Sequence, residues 1–187
     1  MPKYKILKQQ IFESEGFSIV PIRFQDRYQI MKWRNEQMYH LRQKKLLTRE
    51  EQDLYFEEVI SKLFNQKKPN QILFSFLKER TCIGYGGLVH IDWQNKNAEI
   101  SFVMNTEKET TFFYEYWNSF LNLIEKVAFY DVQLHKIYVY SYNLRPVLYS
   151  VLNAYGYKKE ARLKEHQFFK NSYIDVFIHS KINGHIC

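Results

Sequence analysis

Residues 98–142, AEISFVMNTEKETTFFYEYWNSFLNLIEKVAFYDVQLHKIYVYSY, decide the fold. Ala98, Ile100, Phe102 and Met104 alternate with Glu99, Ser101 and Val103, the period of two that sends neighbouring side chains to opposite faces of a strand. Asn105–Thr110 reads as a polar loop. Thr111–Phe129 then carries Phe112, Phe113, Tyr116, Trp117, Phe120, Ile124, Val127 and Ala128 at spacings of three and four, one apolar stripe of an amphipathic helix. Lys136–Tyr142 predicts a second strand. A strand, a crossover helix and a strand most simply make a parallel pair with the helix on its face. The start of such a helix lies beside the end of the strand before it, and its free N–H groups favour an anion. That corner is where a phosphorylated cofactor would be sought.

Upstream, Tyr4–Phe12 and Phe17–Ile22 read as two short strands joined at Glu13–Gly16. Asp26 is placed to cap a helix running through Asn35. Thr48 and Glu51 form a capping box for a second helix whose Leu54, Tyr55, Val59 and Leu63 are expected to face inward, with a polar break at Lys67–Asn70. Gln71–Leu77 and Thr81–Trp93 predict a hairpin turning at Lys78–Arg80. Gly84, Gly86 and Gly87 inside its second strand imply a bulge or the close approach of another backbone or a ligand. Downstream, Pro146 suits the first turn of a helix that Gly156 ends in a left-handed cap. Tyr157–Phe169 and Tyr173–Ile182 predict a closing hairpin. No repeat, linker or low-complexity tract divides the 187 residues, so residues 1–187 are expected to form a single domain, a mixed α/β sheet with helices on its faces.

Composition narrows the partners. Apolar residues make up 45% and charged residues 25%, the balance of a globular chain and not of a disordered one. Fifteen Tyr and fifteen Phe require many rings in a core or cleft. A net charge of +7 favours anionic partners, but Lys and Arg are spread along the chain, so a solvated surface is favoured over a nucleic-acid stripe. Cys82 and Cys187 have no metal-ligand spacing and read as free thiols, and no metal is expected. With no signal-peptide run and no stretch of the roughly 20 apolar residues that span a bilayer, a cytoplasmic protein without a membrane partner is expected.

Several segments together resemble the GNAT N-acyltransferase superfamily. WRNEQ from Trp33 is similar to the early helix of the branch holding ribosomal-protein N-terminal acetyltransferases and nucleotide amino-sugar N-acetyltransferases. IGYGGLVHIDWQNKNAEISFVMN (residues 83–105) is similar to its two central strands. LHKIYVYSYN from Leu134 and LNAYGYKKEARLKEHQFFKNSYIDVFIHSKI from Leu152 are similar to its last strand, helix and hairpin. The resemblance runs from about Phe17 to Ile182. It implies a mixed, mostly antiparallel central sheet flanked by helices, with a strand pair that splays apart after Met104. It also implies acetyl-CoA as cosubstrate, its pantetheine arm held in the gap by main-chain groups of Val103 and Met104 much as an added strand would be.

One part of the pattern is missing. The family places an Arg or Gln and then glycines at the helix start to wrap the CoA diphosphate, whereas NTEKETTFFYEYW from Asn105 has no glycine in any register. Lys108, Thr110 and Thr111 are the substitutes on offer. Either CoA binds in an altered way or the fold persists without its usual cofactor.

The resemblance assigns the remaining candidates. Glu99 sits where many relatives hold a general base, its alternative being an ordinary strand carboxylate. Tyr149 is the candidate acid for the leaving thiolate, one turn before the usual place, which Leu152 occupies; its alternative is core packing. Asn143 is similar to an asparagine that contacts CoA, or caps the next helix. Trp33, Arg34 and Asn35 lie on the acceptor side, with Arg34 suited to an anionic substrate group such as a nucleotide diphosphate. His90 and Asp92 could face the acceptor; His166 and His179 receive no role. The implied function is acetyl transfer to a primary amine of a small molecule, such as a nucleotide-linked amino sugar, or of a protein N-terminus. The alternative is a catalytically altered GNAT-like binding module. Monomer and homodimer both stay open.

Overall fold

A computed structural model describes residues 2–184; Cys187, one of the two predicted free thiols, lies outside them. Cys82 is a free, buried thiol. Eight strands form one sheet in the order β1-β2-β3-β4-β5-β6-β8-β7: β1 Phe12–Ser14, β2 Phe17–Pro21, β3 Ile72–Lys78, β4 Thr81–Asp92, β5 Asn97–Met104, β6 Lys136–Tyr142, β7 Lys158–Phe169 and β8 Ser172–Ile182. Every neighbouring pair is antiparallel except β5 and β6, which are parallel as the central stretch predicts. The helices are α1 Arg27–Glu36, α2 Arg49–Tyr55, α3 Ser61–Leu63, α4 Thr106–Glu125 and α5 Pro146–Ala154. None is long and apolar enough to cross a membrane.

Four expectations change. Tyr4–Ile11 is not a strand, because the Gln10 side chain bonds the backbone of Tyr4 and Leu7 and folds the segment on itself. Its anchor is the buried Tyr4 hydroxyl, which accepts the Leu73 N–H at 2.9 Å and donates to the Leu73 carbonyl at 3.1 Å. Asp26 does not cap α1 with its side chain. A short 3-10 turn, Phe24–Asp26, precedes the helix, and the carboxylate is taken by Arg23 and Ser75.

The Thr48–Glu51 capping box is present, but a π-helical turn at Phe56–Ile60 links α2 to α3 and rotates the buried face. Gln52, Phe56, Ile60 and Leu63 point inward while Leu54, Tyr55 and Val59 are exposed. The predicted loop Asn105–Thr110 is largely helical. Asn105 caps α4 by accepting the Glu107 N–H, and non-helical backbone at Phe112 kinks the helix one turn later.

Below that kink the apolar stripe of α4 packs on the sheet as its spacing requires: Phe120 stacks on Phe102 at 4.1 Å and Trp117 meets Phe102 edge-on at 5.0 Å. Gly86 and Gly87 serve a close approach of backbone. A Cβ on Gly86 would lie 2.2 Å from the Ser101 carbonyl oxygen, and one on Gly87 1.9 Å from that of Ile72. In β7 the register slips twice against β8, and the strand's Lys158, Lys159, Glu160, Lys164 and Glu165 are exposed.

Candidate active site

β5 and β6 pair only at Asn97–Lys136, Ala98–Ile137 and Glu99–Tyr138. Beyond these, Ile100–Met104 of β5 and Val139–Tyr142 of β6 run on without pairing each other, and the sheet opens. The gap begins immediately after Glu99, five residues earlier than Met104. A cleft of about 450 Å³ fills it, walled by Ile100–Phe102 on one side, Val139–Tyr142 on the other, and by Trp117 and Leu148 from α4 and α5. Aromatic rings line the opening without plugging it.

Glu99 stands at the vertex. Alternation along β5 turns it away from α4, into the cleft and a second hollow beside it. It is buried, and the only hydrogen bond its carboxylate makes among the described residues comes from Arg42, at 2.9 Å. The Arg42 guanidinium also lies 4.0 Å from the centre of the Tyr140 ring and donates to His90 Nε2 at 3.1 Å. One cation thus spans the mouth of the gap from β5 to β6. His90 reaches this point because a bulge in β4 puts its backbone at φ 50°.

A second polar chain closes the other end. The Arg145 guanidinium, just before α5, is bonded to Glu109 of α4 and lies 4.9 Å from the Phe113 ring centre. It also donates to His40, whose ring in turn bonds Gln37 Oε1 at 3.2 Å. Gln37 Nε2 donates to the Met104 carbonyl at 2.8 Å and to Thr106 Oγ1 at 3.0 Å. Arg145 Nη1 lies 3.0 Å from His40 Nε2 and 3.2 Å from Nδ1, so a neutral ring keeps one nitrogen to accept from the guanidinium. An imidazolium would turn an N–H toward a guanidinium. Burial, with Arg145 adding to it, therefore pulls His40 down to about 3 from its usual 6.5.

The sign of that shift predicts a pH dependence. Between pH 6.5 and about 3 the unfolded chain binds a proton on His40 that the folded chain does not, so this contribution is full above 6.5 and lost as pH falls. His179, lowered by burial and by Lys159, acts in the same direction. The thermal midpoint is expected to drop from about pH 7 to about pH 4.5, and His40→Gln, which keeps a hydrogen-bonding group, to flatten part of that slope in a calorimetric pH series.

The sequence candidates divide. Arg34 and His90 line the cleft beside Glu99. Trp33 is core, and Asn35 holds the backbone of Leu47 with both ends of its amide. Val103 and Met104 are buried outside the cleft lining, and the Met104 carbonyl is spent on Gln37, so the edge open to the gap is Ile100–Phe102. Lys108, Thr110 and Thr111 are exposed around the kinked start of α4.

Tyr149 does not line the cleft: its hydroxyl donates to the Tyr142 carbonyl at 3.0 Å and its ring stacks on His179 at 5.3 Å. The tyrosines on the wall are Tyr140 and Tyr142; Tyr142 is buried, which pushes its hydroxyl up and keeps it protonated. Asn143 is exposed and is not the cap of α5, whose flanking residue is Arg145. Asp92 folds back on Gln94 and Asn95 to close the β4–β5 turn. Arg42, Arg145 and Tyr142 were not singled out in the sequence; arginine just before a proline-started helix was the signal available for Arg145. No cluster of metal-binding side chains occurs among the described residues.

The arrangement fits the thioester arm of CoA, since an unpaired strand edge borders a cleft with a carboxylate at its vertex. It offers the diphosphate no glycine cradle: a capped helical turn stands there, and Arg145 is the nearest cation on the cleft wall. Among solved structures, the chain is similar to spermidine N-acetyltransferase from Vibrio cholerae in complex with CoA and spermine, with 19% identity, a TM-score of 0.77, and 91% of this chain and 97% of that one covered. A dodecameric structure of spermidine N-acetyltransferase from the same organism, in an intermediate state, gives 17% identity, a TM-score of 0.75, and 91% and 95% coverage. No curated protein matches the sequence. The acetyltransferase (GNAT) domain model matches residues 19–178, and the chain belongs to the GNAT acetyltransferase family.

Proposed function

We propose that the protein is an N-acetyltransferase that moves an acetyl group from acetyl-CoA to a primary amine in the cleft between β5 and β6. The observation that carries this reading is the unpaired edge at Ile100–Phe102, opening at Glu99 onto a cavity large enough for the thioester arm and an acceptor. Acetyl-CoA supplies an activated acyl carbon, and a C–N bond forms to it as its C–S bond breaks. Glu99 takes the proton the amine must lose, and Tyr142 holds a proton at the cleft wall for the departing sulfur. Arg42 fixes the carboxylate in place, while Ile100–Phe102 offer main-chain groups to the arm. Lys108, Thr110, Thr111 and Arg145 surround the place where the diphosphate would lie; Asn143 and Tyr149 support the β6–α5 corner from outside the cleft.

The acceptor is a small molecule, a nucleotide-linked amino sugar being one form, in preference to a protein N-terminus, because the cleft is walled on several sides and capped by Arg42. A structurally similar protein was solved with CoA and spermine, which supports a small amine as a class and leaves its identity to the residues here. Titration of acetyl-CoA by calorimetry tests the reading. Saturable one-to-one binding is expected, and no heat at millimolar ligand would favour a binding module that keeps the fold without the reaction.

A further inference from the structure

Arg34 stands where the active-site cleft meets a second cavity of about 410 Å³, and it lines both. Its Nε donates to Gln43 Oε1 at 2.9 Å and its Nη1 to the Tyr85 hydroxyl at 2.7 Å. Both partners are neutral, no carboxylate pairs with it among the described residues, and its Nη2 makes no hydrogen bond among them. A guanidinium stays charged at any pH a folded protein sees, so a partly buried one without a counter-charge is an incomplete ion pair.

The surroundings do not complete it. The cleft is lined by Arg34, Arg42 and Arg145, and its one carboxylate, Glu99, already faces Arg42. In the second cavity the one carboxylate is Glu51, held by Lys45 and by its capping bond to Thr48. A polycation entering here would meet three arginines and no free anion.

We propose that the ligand of these joined cavities carries an anionic group, a carboxylate or a phosphate, and that Arg34 is the residue that reads it. Resting on the acetyl-transfer reading above, this makes the acceptor an amine with an anion on the same small molecule, its charge at Arg34 and its nitrogen toward Glu99. Arg34 is then a specificity residue, and Tyr85 and Gln43 hold its fork open toward the cavity. The same charge balance disfavours spermidine-like acceptors, in contrast to the structurally similar enzymes.

Two measurements test it on the full chain. In the first, protein saturated with CoA is titrated calorimetrically with inorganic phosphate and with succinate, which separates phosphate from carboxylate as the source of the charge. At least one probe is expected to bind, about 10- to 100-fold more weakly to Arg34→Gln, with part of the loss restored in Arg34→Lys. Binding by neither probe, or equal binding by Arg34→Gln, overturns the proposal.

In the second, transfer from acetyl-CoA is followed with matched acceptors: an amino acid against its amide, and a hexosamine phosphate against the free hexosamine, with spermidine beside them. Arg34→Gln should raise KM for the anionic member about 10-fold or more, leave kcat within about 3-fold, and leave the uncharged member unchanged. Preference for spermidine, indifferent to Arg34, would overturn the anion proposal while leaving acetyl transfer standing. Arg34-dependent anion binding with no transfer to any amine would support the anion site and overturn the transfer reading instead.

Discussion

Glu99→Gln lowers kcat for acetyl transfer about 10²- to 10³-fold, the usual worth of a positioned general base, while acetyl-CoA affinity stays within about 3-fold. The amide keeps the shape and still accepts the Arg42 hydrogen bond, so the cleft wall is preserved and only the proton acceptor is lost. A variant that keeps its full kcat would return Glu99 to the role of an ordinary strand carboxylate paired with Arg42.

Gly87→Ala destabilises the fold by about 3 kcal/mol or more, beyond the ordinary cost of overpacking a core. The added methyl would sit 1.9 Å from the Ile72 carbonyl oxygen and 2.9 Å from the Leu73 Cα. Neither neighbour is a side chain that can swing aside. Both belong to β3, whose backbone is paired to β4 at this point, so relief requires parting the ladder between two central strands. The shift in a denaturant midpoint measures the loss, and a midpoint within the range of a surface substitution would show that β3 and β4 can separate locally at low cost.

The fold was legible because period and turn chemistry agree over long stretches. Ala98–Met104 alternates cleanly, the stripe on α4 is broad, and Gly156 takes the left-handed φ of 85° that ends α5. Reading failed where one side chain overrides local propensity. Gln10 rewires the backbone of Tyr4–Leu7, and a π turn of five residues advances the buried face of the second helical stretch.

The site was half legible for a related reason. Glu99 and Arg34 lie on elements whose phase the sequence states, whereas His90 is turned by the bulge in β4. Arg42 and Arg145 lie in connecting segments, and what aims them is contact with Glu99, Tyr140, His40 and Glu109 from distant parts of the chain. Tyr149 lies outside the cleft lining, where its hydroxyl braces the Tyr142 carbonyl at the strand end.

The twice-slipped, charge-studded β7 bears on how copies of this protein can meet. As the last strand of the sheet it exposes a row of unpaired amides, the kind of border that another polypeptide extends by hydrogen bonding. Lysines and glutamates pointing outward, and kinks that break the straight run of donors and acceptors, make that border a poor template. The β7 border is therefore guarded against lengthening of the sheet by a second polypeptide.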